Sequence, residues 1–351
     1  MTSDQEVPWV SDARSAWLEQ VWAWLDEELR RRGLVPSGAF ECVREKPWAI
    51  VLRASTPQGF VYFKASGPGG RHEPGLVTAL AQRWSDRVPA PLAIERQCGW
   101  MLCRDYGGTL REALHGADSL EVWQHLLPRY AEIQLASRHE TARWLALGVP
   151  DRRLESLPEL LGALLADDAA LCLGHSAGLL AAERATMRTL LPEFGACCRE
   201  LAAMPYPAAL DHGDLHAGNI LVGEGTYWFF DWGDANLTHP FCSLLVICHL
   251  LGGDFASSDA QRRIARLRDA YLEPWSIHAP APSLRPLFAA ALWVAHVGRA
   301  LDWNHMLKGT GEAARAAWQP QVPRWLRLWL RRRELLRAGG SRFGSDSSSS
   351  S

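Results

Sequence analysis

The chain reads as an α+β protein of two lobes, a small one built on five antiparallel strands and a larger, mainly helical one. Three observations predict this. Its 351 residues exceed one typical domain. Between residues 40 and 103 short apolar runs alternate with turn signals, and beyond Gly107-Gly108 the apolar spacing becomes mainly helical. With 48% hydrophobic and 22% charged residues, the composition is globular and the length supports a sizeable core.

Residues 11–33 place Trp17, Leu18, Val21, Trp22, Leu25 and Leu29 at three- and four-residue spacing, an amphipathic helix with Ser11 or Asp12 as N-cap and Gly33 as its stop. The period then shortens. Runs at 40–44, 48–54 and 60–65, divided by Lys46-Pro47 and Thr56-Pro57-Gln58-Gly59, predict three strands. A helix is expected over 73–84, then strands at 92–96 and 100–103 about a turn at Gln97-Cys98-Gly99. Further helices are expected at 120–136, 157–166, 177–204, 260–272 and 286–308. The division that follows is a helix at 1–34 packed on a first lobe at 35–105, a helical lobe at 106–338, and a serine-rich tail at 339–351. Such a tail buries little apolar surface and is expected to be disordered.

A formal charge of −2 gives no electrostatic footprint for nucleic acid or an anionic membrane. Eight scattered cysteines without a Cys-x-x-Cys pair suggest neither a zinc site nor a disulfide framework, and they read as reduced thiols. The polar, acidic start Met1-Thr2-Ser3-Asp4-Gln5-Glu6 is unlike a secretory signal, and no uncharged apolar stretch reaches the ~18 residues of a membrane span. A cytoplasmic location is expected. The 17 tryptophans are expected mostly to fill core.

Chemistry concentrates at 212–231. His212, Asp214, His216 and Asn219 precede the apolar run Ile220-Leu221-Val222, a turn at Gly223-Glu224-Gly225, and a second run from Tyr227 to Phe230 that ends on Asp231. A loop followed by a hairpin is implied. Phosphoryl transfer needs a carboxylate to orient and deprotonate an acceptor hydroxyl and hard oxygen ligands for Mg²⁺; Asp214, Asn219 and Asp231 supply them.

This segment resembles the catalytic loop and metal-binding Asp of the aminoglycoside phosphotransferase and choline kinase family, relatives of the protein kinases. There a catalytic Asp precedes a metal-binding Asn by five positions, as Asp214 precedes Asn219, and a hairpin leads to Asp-x-Gly, as to Asp231-Trp232-Gly233. The resemblance implies a bilobal protein-kinase-like fold and transfer of a γ-phosphate from ATP or another nucleoside triphosphate, with Mg²⁺, to a hydroxyl of a small molecule, whether antibiotic or metabolite. Asp214 would be the base, Asn219 and Asp231 the metal ligands, and His216 a γ-phosphate contact. His216 stands where protein kinases usually have Lys, which favours a small acceptor, and a monomer or homodimer is expected.

Upstream, Phe60-Val61-Tyr62-Phe63-Lys64 resembles the strand whose Lys contacts the nucleotide phosphates, and Glu73 matches the helix carboxylate that pairs with it. The stretch from Met101 to Tyr106, with Cys103 inside it, would be the hinge whose exposed backbone meets a purine. Two departures stand out. Arg44-Glu45-Lys46-Pro47-Trp48 replaces a glycine-rich phosphate loop, so Arg44 or Lys46 would substitute by charge, and Ser243 stands near a position where the family often has an Asp bracing the catalytic loop.

Other readings exist. His212, Asp214 and His216 alternate as ligands of a transition metal can, whereas His212 alone reads as a structural loop residue. A pseudokinase would lack one of Lys64, Asp214, Asn219 or Asp231, and none is lacking; a protein kinase would be expected to carry Lys at 216. The late run Trp293, His296, Arg299, Asp302, Trp303, His305 fits a buried helix or the wall of an acceptor pocket. Its Arg and Trp content favours an apolar, neutral or anionic acceptor over a polycation.

Overall fold

A computed structural model describes residues 6–115, 120–223, 225–253, 255 and 257–338. The expected tail at 339–351 and Glu224 in the hairpin turn lie outside the described residues.

Helix α1 (Arg14–Arg31) starts later than a cap at Ser11 or Asp12 would set it, because Ser11 closes a 3-10 turn at Pro8–Val10 instead. Trp17, Val21, Leu25 and Leu29 are its buried stripe. Four-residue spacing puts them on one face. They share a core with Ile50, Leu52, Val61, Phe63, Trp100 and Leu102, so α1 packs on the sheet.

That sheet consists of β1 (Glu41–Lys46), β2 (Ala49–Thr56), β3 (Gly59–Ser66), β4 (Ala93–Glu95) and β5 (Trp100–Arg104), antiparallel in the order β1-β2-β3-β5-β4. Between β3 and β4 lies α2 (Glu73–Ala81), buried almost all round, Glu73 included. After β5 come the short β6 (Gly108–Thr109) and α3 (Leu110–Ala113), the latter opened by a capping box of Thr109 and Glu112.

The helical part begins with α4 (Leu120–Ser137), α5 (Thr141–Ala146) and α6 (Leu157–Leu164). The single helix expected over 177–204 is two, α7 (Ala181–Thr189) and α8 (Leu191–Ala202). Pro192 explains the break: it lacks the N–H that a continuous helix needs, and it suits a first turn. Strand β7 (Ala209–Asp211) leads into the loop of interest, and β8 (Ile220–Gly223) and β9 (Thr226–Phe229) form the expected hairpin, extended by β6 to three strands. Strand β10 (Asn236–Thr238) returns antiparallel to β7, with Asn236 opposite Asp211.

The chain ends with α9 (Leu245–Gly252), α10 (Ser258–Leu272), α11 (Ala281–Met306), α12 (Glu312–Trp318) and α13 (Gln321–Ala338). Helix α11 is buried on every side from residue 290 to 297, the mark of a central helix. Eleven of the seventeen tryptophans are buried, in keeping with a core role.

Two compact units result. One comprises residues 1–115, 217–234 and 305–318, with the five-stranded sheet; the other comprises 116–216, 235–304 and 319–351, mostly helical. No helix among the described residues is long and apolar enough to cross a membrane.

Candidate active site

In the sheet-bearing unit, the centre of charge is Lys64. It lies on β3 in register with Met101, and its Nζ is 2.7 Å from Glu73 Oε1 and 2.5 Å from Asp231 Oδ1. Glu73 is fully buried at the start of α2, and its second oxygen accepts the Ser66 hydroxyl at 2.8 Å. Burial alone would lower the lysine's pKa, but the two carboxylates outweigh it and the ammonium is held above its ordinary range. Glu73 is pushed up, because burial and the nearby Asp231 charge oppose its share of Lys64.

Asp231 has the positive φ of 63°, a conformation that costs a non-glycine residue energy and is tolerated where function holds it. Its strand-side neighbour Phe230 donates its amide to the Asn219 carbonyl at 3.2 Å, which ties the two expected metal ligands to one hairpin base. Gly233 fits tightly beside Glu73: a Cβ there would stand 3.3 Å from Glu73 Oε2.

Arg44 and Lys46, the expected substitutes for a glycine-rich loop, sit on β1. Arg44 Nη1 is 4.0 Å from Asp231 Oδ2, so it reaches the same carboxylate as Lys64. Lys46 Nζ instead lies 5.3 Å above the Trp318 ring. The turn after it is fastened by neighbours: Trp9 Nε1 donates to the Lys46 carbonyl at 2.9 Å, Arg14 pairs with Glu45 at 2.8 Å, and Trp48 meets Trp318 edge-on at 5.0 Å. The hinge expectation needs correction. Met101 and Cys103 lie inside β5, opposite Lys64 and Tyr62, so their backbone belongs to the sheet and the chain leaves it only beyond Arg104. Burial pushes the Cys103 thiol up to about 12.

In the helical unit, Asp214 and His216 lie together, with His216 Nε2 3.4 Å from Asp214 Oδ2. The other oxygen, Oδ1, accepts from Arg299 Nη2 at 2.8 Å. Burial would raise the Asp214 carboxyl, yet Arg299 first and His216 next carry it well below the usual carboxylate range. Arg299 is 7% exposed, and its guanidinium lies 5.5 Å from the Trp303 ring centroid. His212 is buried and structural as expected: its Nδ1 faces the Asp214 amide at 3.4 Å and its own amide goes to Tyr130. Among the described residues no group of three or more His, Cys, Asp or Glu side chains is arranged to hold a metal ion.

The sequence reading did not single out two features. One is the contact of Arg299 with Asp214; the only hint was its three-residue spacing from His296 and Asp302. The other is Asp211, whose Oδ1 accepts the Gly213 amide at 3.0 Å. Ser243 Oγ accepts from Gln134 Nε2 at 2.8 Å and from the Tyr130 hydroxyl at 3.3 Å. A cavity of about 20 Å³ adjoins this group, lined by Asp211, Asn236, Ser243, Arg299 and Asp302 among others. The late run is for the most part a buried helix: Trp293 stacks on Trp329 at 5.5 Å, His296 meets His249 at 2.9 Å, and Asp302 pairs with Arg152 at 3.3 Å.

A five-stranded antiparallel sheet, a Lys–Glu pair whose carboxylate is fully buried and a catalytic-type loop before a hairpin ending in Asp-x-Gly define a kinase-like phosphotransferase. The chain belongs to the phosphotransferase enzyme family, whose model matches residues 76–287, more than half of its length. It is accordingly an enzyme, a small-molecule kinase.

Solved structures agree on the fold. The chain is similar to the macrolide 2'-phosphotransferase MphH from Brachybacterium faecium, at 17% identity and TM-score 0.55 over 87% of this chain and 97% of that one. It is similar to an ethanolamine kinase from Plasmodium vivax at 12% identity and TM-score 0.56, covering 83% and 82% of the two chains. A third likeness is the aminoglycoside phosphotransferase APH(4)-Ia in complex with ADP and hygromycin B, at 12% identity and TM-score 0.52 over 86% and 96%. No curated protein sequence matches the chain.

Proposed function

We propose that the chain transfers the γ-phosphoryl group of Mg-ATP to a hydroxyl of a small molecule, with Asp214 as the general base. The single observation that carries this reading is Lys64 suspended between Glu73 and Asp231, a partly buried cation held by two carboxylates. Such a cation is retained at a cost unless it is used, and a nucleotide phosphate is the ligand that uses it.

In this reading Lys64, oriented by Glu73, binds the nucleotide phosphates, and Arg44 adds a second positive charge beside Asp231. Asn219 and Asp231 would hold Mg²⁺; their hard oxygens fit an ion that takes one or two protein ligands plus phosphates rather than a complete protein cage. When bound, the ion neutralises charge on the transferring phosphates. Asp214 hydrogen-bonds the acceptor hydroxyl and takes its proton as the new O–P bond forms and the bond to the ADP leaving group breaks, with Arg299 holding its carboxylate in place. Nucleophile orientation and charge stabilisation supply most of the rate in phosphoryl transfer.

The test is ADP release from Mg-ATP across a panel of hydroxylated metabolites and antibiotics, with Asp214→Ala as blank. An acceptor that raises release in the native chain and not in the variant supports the reading. Equal release by both would sink it.

A further inference from the structure

We propose that Trp318 is a positioning residue for the nucleotide: its ring stations the Lys46 ammonium, uncancelled by any carboxylate of the described residues, for the phosphates of Mg-ATP. This rests on the reading of Lys64 as the phosphate-binding lysine, and it adds to that site a residue distant in sequence.

Strand register puts three cations on one face of the sheet. Arg44 lies opposite Val51 and Val51 opposite Lys64, while Lys46 lies opposite Ala49 and Ala49 opposite Ser66. Opposite residues share a face, and so do residues two apart along a strand, which turns Arg44, Lys46, Lys64 and Ser66 the same way. Their contacts agree: Lys64 and Arg44 both reach Asp231, and Ser66 reaches Glu73, the partner of Lys64. From Lys64, Lys46 starts about 7 Å further along the strands and about 10 Å across two of them. A triphosphate between two extended lysine side chains fills such a gap.

Lys46 differs from the other two in its partner. Lys64 and Arg44 face carboxylates, whereas among the described residues Lys46 has no ion pair, and its Nζ lies 5.3 Å from the centroid of the Trp318 ring. Glu45 beside it is taken by Arg14 at 2.8 Å. An aromatic face attracts a cation through its quadrupole and adds no formal charge. The ammonium is thus held in place with its charge intact for an anion.

The backbone around Lys46 is fixed without Trp318. The Lys46 carbonyl accepts the Trp9 indole at 2.9 Å, and the Trp48 carbonyl accepts the Gly67 amide at 2.8 Å. What the Trp318 ring adds is a hold on side chains, the Lys46 ammonium and the Trp48 ring 5.0 Å away. Helix α12 buries none of its residues, so Trp318 at its end is not kept there by a core. The segment leading to it is nonetheless anchored: the Val7 amide donates to the Gly309 carbonyl at 2.9 Å, and Gly69 admits no side chain, because a Cβ there would stand 2.8 Å from Met306 Cα.

Three substitutions separate ring from charge. Trp318→Leu keeps an apolar side chain against Trp48 and removes the ring under Lys46, Trp318→Phe keeps a ring, and Lys46→Met keeps the stem and removes the charge. Affinities of the full chain for Mg-ATP and for adenosine, which has no phosphate, are measured by calorimetry, and urea unfolding shows that each variant is folded.

Trp318→Leu is expected to weaken Mg-ATP binding about fivefold and Lys46→Met about tenfold, with adenosine within about twofold in both. Trp318→Phe is expected to keep Mg-ATP within about twofold of the native chain. In the Lys46→Met background, Trp318→Leu should add less than about twofold, since the ring then has no cation to station. Unchanged Mg-ATP affinity in Trp318→Leu, equal losses for Mg-ATP and adenosine, or the same fivefold loss with Lys46 already removed would overturn the proposal and leave the phosphotransfer reading standing. A native chain without affinity for Mg-ATP would sink both. The expected pattern in a chain that releases ADP with no acceptor would uphold the role of Trp318 and sink phosphotransfer.

Discussion

Arg299 Nη2 lies 2.8 Å from Asp214 Oδ1, an ion pair between residues 85 apart in sequence. A carboxylate so paired stays ionised in acid, so the ionisation of the proposed base is governed by a residue of α11. Arg299 also lies beyond residue 287, where the match to the family model ends.

Replacing Arg299 with Gln removes the largest influence lowering the Asp214 pKa. The carboxyl then rises toward its ordinary range, so protonation, and loss of activity on acidification, sets in at higher pH. The acid limb of the rate profile is expected to move up by at least about one unit, and kcat at neutral pH to fall about tenfold. A pH series of ADP release checks both, and an unmoved acid limb would contradict the coupling.

Lys64→Met leaves buried Glu73 facing Asp231 without the cation between them. Stability is expected to fall by about 3 kcal/mol and affinity for ATP by at least about tenfold. Urea unfolding and calorimetric titration measure the two. Glu73→Gln, which keeps the cation, is expected to cost less in both.

Gly107 has φ +101°, and a Cβ there would meet the Val222 carbonyl oxygen at 2.3 Å. Gly107→Ala is expected to destabilise by more than about 2 kcal/mol. Gly225 makes the control, since it shares the positive φ but nothing lies within 4 Å of its Cβ position. Its alanine variant should cost about 1 kcal/mol.

Burial lowers His72 and His249 to about 4 and His239 to about 3. These histidines fold neutral, while in the unfolded chain each titrates near ~6.5. Between those values the unfolded state binds more protons. Stability is therefore intact above about pH 6.5 and falls as pH drops toward 4, by up to ~1.4 kcal/mol per unit for each histidine. Urea unfolding at successive pH values checks the slope, and His239→Phe should lessen it.

Local signals marked the elements that were legible in the sequence. The β2–β3 hairpin announced itself through β-branched and aromatic runs around a Pro-Gln-Gly turn, and Asp214, Asn219 and Asp231 stand at the spacings of the family the segment resembles. What remained hidden depended on distant partners. Helix α13 is arginine-rich, so its buried face of Val322, Trp325, Leu326 and Trp329 is masked by charge. Arg299 likewise meets Asp214 only through a contact 85 residues along the chain, which no window of periodicity can see.

The β1–β2 turn has consequences for where this protein can be cut. Its hold comes from Trp9, Arg14 and Trp318, while Lys64, Glu73 and Arg299 all stand outside the span 76–287 by which the family is recognised. A piece trimmed to that span would lose β1, β2 and β3 and keep the loop of Asp214 with neither Arg299 nor Lys64. The recognisable part and the working part of this chain are different lengths.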